Sequence, residues 1–108
     1  MKTRTEKDSM GPLEVPADAY YGVQSTRSLH NFPISNLRLF PAQIKALAQL
    51  KQACAEANME LGILQKKKGN AIVRACKEIV NGELHDEICL DIFQAGSGTS
   101  SNMNVNEV

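Results

Sequence analysis

The stretch GSGTSSNMNVNEV, residues 96–108, is dense in neutral hydrogen-bonding side chains and decides how the rest of the chain is read. Gly96 and Gly98 bracket Ser97, then Thr99, Ser100 and Ser101 follow, and Asn102, Asn104 and Asn106 come at alternate positions. No charge appears until Glu107. Glycines permit positive φ and a close backbone approach. Each hydroxyl carries a rotatable donor and acceptor. The stretch runs into a helix start, where unpaired N–H groups face whatever lies in front of them. A small anion such as a carboxylate suits that setting. A plain loop with a Ser/Thr helix cap is the other reading, and composition alone does not separate the two.

Upstream, Ile88, Leu90 and Ile92 alternate with Cys89, Asp91 and Phe93, which predicts a short extended segment leading into Gly96. Residues 84–87 read as a polar connection. His85 and Cys89 have a spacing that suits a metal, but two ligands do not make a zinc site. Before them, Ile72, Cys76, Ile79 and Val80 form the apolar face of a helix that Asn81-Gly82 ends. Lys66-Lys67-Lys68 oppose the helix dipole, so that helix is expected to begin nearer Gly69 or Asn70. With no aromatic residues among them, the three lysines read as a solvated turn rather than a nucleic-acid patch.

The clearest amphipathic helix spans about residues 41–61. Pro41 sits at the first helical position. Ile44, Leu47, Leu50, Cys54, Ala57 and Leu61 recur at intervals of three and four, and Gly62 stops the helix. Cys54 falls on this stripe and reads as a core thiol. A short helix is expected over about residues 22–31, ended by Pro33. His30 on it reads as a surface histidine rather than a ligand or acid–base group. Residues 1–9 are polar and expected to be mobile, with Met10-Gly11-Pro12 as a turn between extended pieces that can pair as a ribbon. The residues thus describe a mostly α unit: two main antiparallel helices, a short helix and minor extended or β-ribbon pieces.

Composition narrows the function classes. A chain of 108 residues is one domain at most. Twelve basic and twelve acidic residues cancel, leaving no field that gathers nucleic acid or an anionic membrane. No apolar run approaches the ~20 residues of a membrane span. The charged opening MKTRTEKDSMG lacks the apolar region of a signal peptide. Cys54, Cys76 and Cys89 form no CxxC and cannot all pair, so they read as reduced cytosolic thiols. Aromatics are 5%, which predicts an aliphatic core. The chain stops at Asn106-Glu107-Val108 without a helix stop signal, and a piece of a longer protein is expected.

GSGTSSNMNVNEV, with Asp91-Ile92-Phe93-Gln94-Ala95 before it, resembles the first signature region of the class II fumarase and aspartase superfamily. EKDSMGPLEVPADAYYGVQSTRSLHNFPIS, residues 6–35, resembles the opening of the same proteins, and KALAQLKQACAEAN matches as well. The resemblance covers essentially the whole chain, residues 1–108, as the family's N-terminal domain. It implies a homotetramer when full length, in which each active site takes loops from three subunits. It implies reversible anti addition to fumarate, of water to give malate or of ammonia to give aspartate, with no metal or organic cofactor.

On that resemblance Ser97, Gly98 and Thr99 would contact a substrate carboxylate and stabilise charge as an aci-carboxylate develops. Asn104 is a further candidate, while Asn102, Asn106 and Glu107 would cap and support the helix. The family's general base, a serine in a later GSSxxPxKxN signature, is absent here, so no catalytic residue is expected within these 108 residues, and no lyase activity from them alone. The resemblance leans to the fumarase branch, through Ser97 between the glycines and Gln24-Ser25-Thr26-Arg27-Ser28-Leu29. His30, where both branches usually show glutamate, and Ala95, an aspartase habit, depart from it. A stand-alone helical interaction module is the reading from another class. A cytoplasmic location and a place in the tricarboxylic acid cycle follow from the resemblance.

Overall fold

A two-residue turn opens the chain. In the computed structural model, which describes residues 1–108, β1 (Thr3–Asp8) pairs antiparallel with β2 (Gly11–Pro16), from Thr3 opposite Pro16 to Asp8 opposite Gly11. Gly11 takes φ 114° and Asp8 Oδ1 accepts the Met10 N–H at 2.9 Å, which closes the turn. The start expected to be mobile is therefore a strand from Thr3. Its anchor is one long side chain rather than an apolar face. The Arg4 guanidinium donates to the carbonyl oxygens of Pro16, Ala17, Ala19 and Tyr21 at 2.9, 3.1, 2.8 and 2.9 Å. Five donors in a fixed fork make arginine suited to gathering carbonyls in this way.

These carbonyls lead into α1 (Val23–Asn31), close to the expected span. Arg27 on α1 donates to both Asp8 oxygens at 2.9 Å and to the Gly11 carbonyl at 2.9 Å, tying helix to ribbon. The Arg27 hydrogen bond holds the Asp8 carboxyl below its ordinary value. The ribbon and α1 belong to a compact unit made of Met1–Leu39 and Asp86–Val108. Its core is Val15, Val23, Ile88, Leu90 and Val105, aliphatic as the composition foretold. Residues 88–93 form neither helix nor strand. The Cys89 N–H goes to a side chain and that of Ile92 to the Leu37 carbonyl, so the expected extended segment has no ladder to join. The polar connection before it contains a 3-10 turn, His85–Glu87.

The second unit, Phe40–His85, is the hairpin of α2 (Pro41–Glu60) and α3 (Lys66–Val80). Pro41 opens α2 as expected, and Gln43 Oε1 accepts the Phe40 N–H at 3.3 Å. Gly62 ends it with φ 77°, and Asn58 O accepts the N–H groups of Ile63 and Leu64 at 3.1 and 3.2 Å. Two expectations need correction. The second helix begins at Lys66, not near Gly69. Its three lysines are exposed, where water weakens their clash with the dipole, and Gly69 is needed inside the helix. A Cβ on Gly69 would run into the Met59 side chain, so the glycine lets the two helices come close.

The second correction concerns the face of α2. Ile44 is buried as expected, but Ala48 and Ala55 share that burial, while Leu50 and Leu61 are 57% and 73% exposed. Cys54 is exposed too, so it is not a core thiol here; Cys76 is the buried one. A close helix pair takes small residues at its seam, which three-and-four counting of large apolar residues misses.

Candidate functional site

Two left-handed glycines shape the loop. Gly96 (φ 70°) and Gly98 (φ 97°, ψ 5°) turn the chain so that α4 (Thr99–Glu107) starts directly behind Ser97. Positive φ at both positions favours glycine. A Cβ on Gly96 would lie 2.6 Å from Thr99 Oγ1, so the bare glycine leaves room for the threonine hydroxyl. Ser97, Gly98 and Thr99 are all exposed and adjacent at the helix start. The structure thus brings together the three residues singled out in the sequence, on a surface of neutral donors.

Glycine at the N-cap offers no side chain, and none caps α4 from there. The cap comes from Gln94. Its Oε1 accepts the Ser101 N–H at 2.7 Å and the Ser101 hydroxyl at 3.0 Å, while Nε2 donates to the Asp91 carbonyl at 2.7 Å. Asp91 is itself fixed. Its carboxylate accepts the N–H groups of Ser35, Asn36 and Phe93 at 2.6, 2.8 and 2.9 Å and the Ser35 hydroxyl at 2.8 Å. Burial alone would raise this carboxyl. The donors from Phe93, Ser35 and Asn36 outweigh burial and hold it well below the usual carboxylate range. No sequence pattern assigns a role to Gln94 or Asp91. Asp91 meets partners 55 and 56 residues away, which no local pattern signals.

Asn104 stands apart from Ser97–Thr99. It is 0% exposed, and its amide is fully engaged within the chain. Nδ2 donates to Ser25 Oγ and to the Glu87 carbonyl, each at 3.1 Å, and Oδ1 accepts the Cys89 N–H at 3.1 Å. Asn104 thereby joins α4, α1 and the segment after the 3-10 turn. Glu107 does support a helix, but the helix is α1. Its carboxylate accepts the Ser25 N–H at 2.6 Å and hydroxyl at 2.9 Å, in the first turn of α1. Gly22, the N-cap there, is side-chain-free where the Glu107 carboxylate sits. A carboxylate at a helix N-terminus is favoured by the dipole. Asn102 and Asn106 are exposed.

The remaining candidates lie elsewhere. His30 is exposed on α1. His85 Nε2 is 2.8 Å from the Ile79 carbonyl. Burial raises the Cys89 thiol above its ordinary value. No helix is long and apolar enough to cross a membrane.

A protein-family model described as "Lyase" matches residues 11–108. Fumarate hydratase class II of Photorhabdus laumondii is 55% identical over 106 residues, which are 98% of this chain and 23% of that protein. Aspartate ammonia-lyase of Pseudomonas fluorescens is 50% identical over 107 residues, 97% of this chain and 22% of that protein. The chain belongs to the fumarase/aspartase family of lyases. A solved fumarate lyase:delta crystallin from Brucella melitensis superposes with a TM-score of 0.96 at 48% identity, over 99% of this chain and 25% of that one. The four helices and two-stranded ribbon therefore match the N-terminal domain of fumarase-like lyases. The chain spans less than a quarter of the length of these two lyases.

Proposed function

We propose that this chain is the N-terminal part of a lyase that reversibly hydrates fumarate to malate, and that it supplies a loop binding one substrate carboxylate. One observation carries the reading. Ser97, Gly98 and Thr99 are exposed side by side at the start of a helix whose cap is provided by Gln94. The helix start favours negative charge in front of it. Neutral hydroxyl and amide donors can each strengthen their bond as charge accumulates on a carboxylate losing its neighbouring proton. They orient and stabilise, and acid–base chemistry falls to residues outside these 108. The chain alone is then inactive, and the complete enzyme is a cytoplasmic homotetramer that needs no cofactor.

A second reading, aspartate ammonia-lyase, has its own support. The Pseudomonas fluorescens relative is 50% identical, and Ala95 follows Gln94 in the aspartase manner. Both readings use the same loop. The enzyme encoded by the complete reading frame should be assayed for fumarate formation, by ultraviolet absorbance, from malate and from aspartate in parallel. Turnover of malate is expected. Replacing Thr99 by Val should cost roughly ten- to a thousandfold in turnover, as for loss of an oxyanion-type donor. An unchanged rate removes Thr99 from the site.

A further inference from the structure

We propose that Gln94 is a positioning residue that holds the carboxylate loop ready for its anion, an inference that rests on the reading of Ser97–Thr99 as substrate contacts. The loop hangs between two fixed points, and one side chain links them. At one end is the Asp91 carbonyl, which takes the Gln94 Nε2 donor at 2.7 Å. At the other is the first turn of α4, where Gln94 Oε1 accepts from both the N–H and the hydroxyl of Ser101. Residues 95–99, all exposed, lie between. Asp91 cannot drift, because four donors from residues 35, 36 and 93 pin its carboxylate. Gln94 thus transmits a fixed backbone position to the Thr99 helix start.

The chemical identity of the residue matters as much as its place. A helix N-terminus is more commonly capped by Ser, Thr, Asp or Asn at the N-cap itself. Gly98 occupies that position here, and its φ of 97° favours glycine. A cap supplied by residue 94 serves Ser101 while the N-cap position, Gly98, carries no side chain. An amide also caps without charge. A carboxylate in its place would still accept from Ser101, but it would lose the bond to the Asp91 carbonyl and set a negative charge beside a loop that must receive an anion.

The test uses the enzyme from the complete reading frame, with KM and kcat for malate measured separately and the melting temperature measured alongside. Gln94→Met keeps length and bulk and removes all three hydrogen bonds. KM is expected to rise about tenfold to a hundredfold, the cost of a loop displaced by about an ångström. Gln94→Glu keeps the cap on Ser101 but loses the donor to the Asp91 carbonyl, so the melting temperature should fall less than in Gln94→Met while KM still rises. A residue that only stabilises the fold would lower the melting temperature in Gln94→Met and leave KM native in both variants. A native KM in Gln94→Met overturns the proposal. Where Gln94→Met does not fold, Gln94→Glu decides: a raised KM supports it and a native KM overturns it. A kinetically silent Thr99→Val would instead sink the reading of the loop, and a damaged Thr99→Val beside a native Gln94→Met sinks only the role of Gln94.

Discussion

Replacing Asn104 by Ala tests the buried network behind the loop. Asn104 is 0% exposed and makes three hydrogen bonds of 3.1 Å, to Ser25 Oγ, the Glu87 carbonyl and the Cys89 N–H. A bond of this kind contributes about 1 kcal/mol net, and an orphaned buried partner costs about 1–3 kcal/mol. Two of the three partners are backbone groups of a segment with no ladder to fall back on. The expected loss is therefore about 3–5 kcal/mol, large against a total of about 5–15 kcal/mol for a folded domain. Urea unfolding should show it as a fall in midpoint of about 1–5 M for ordinary slopes of about 1–3 kcal/mol per M. Asn104→Asp sharpens the test. It keeps the acceptor for Cys89 but turns an oxygen toward the Glu87 carbonyl. At neutral pH it should be destabilised at least as much, and it should recover in acid as the carboxyl gains a proton to donate. A loss below about 1 kcal/mol in Asn104→Ala, combined with abolished turnover, would refute this reasoning and make Asn104 a substrate contact.

The other predictions concern the loop and its anchor. Asp91 has a carboxyl depressed in the folded state, so its contribution to stability is complete above the ordinary value of about 3.9 and is lost as pH falls below it. Thermal melts from pH 7 to pH 2 should show the gap between native protein and Asp91→Asn closing in acid. A gap of constant size would contradict the assignment. Asp8, lowered by Arg27, adds a share of acid sensitivity that Asp91→Asn leaves in place. Gly96→Ala strains a residue at φ 70° and drives a methyl against Thr99 Oγ1, so it should cost about 1–3 kcal/mol and raise KM, as read from melts and steady-state kinetics. Native values for both would mean that the loop adapts freely.

Much of this was legible in the chain itself. Pro33, Pro41, Gly62 and Asn81-Gly82 punctuate α1, α2 and α3 where the structure ends or starts them, and Met10-Gly11 sits at the ribbon turn. Those signals are local, because proline and glycine act on their own backbone. The loop of Ser97, Gly98 and Thr99 was legible for the same reason. Apart from the start of α3 at Lys66, what failed was non-local. The stripe through Leu50, Cys54 and Leu61 predicts one burial face, yet the helix pair buries Ala48 and Ala55. Counting large residues does not show which seam a neighbour will fill, nor that Gly69 admits Met59. Gln94, Asp91, Asn104 and Glu107 are linked by geometry that closes over 7 to 82 residues of sequence. No period in a sequence records such a link.

The seam between residues 35–37 and 91–92 has a consequence for how the chain tolerates change. Asp91 takes the N–H groups of Ser35 and Asn36, and Ile92 donates to Leu37, so the points where the chain leaves the first unit and comes back are stitched together inside that unit. The helical hairpin between them, Phe40–His85, is topologically an insertion whose exit and entry are already closed. Closing such a loop costs only about 0.6 kcal/mol more for each doubling of its length. Lengthening or shortening α2 and α3 by matched turns is therefore expected to leave the anchor of residues 96–99 in place. Folding carries the converse burden. The hairpin can form from neighbours as it leaves the ribosome, whereas α1 must wait for Glu107 to arrive before its first turn is capped.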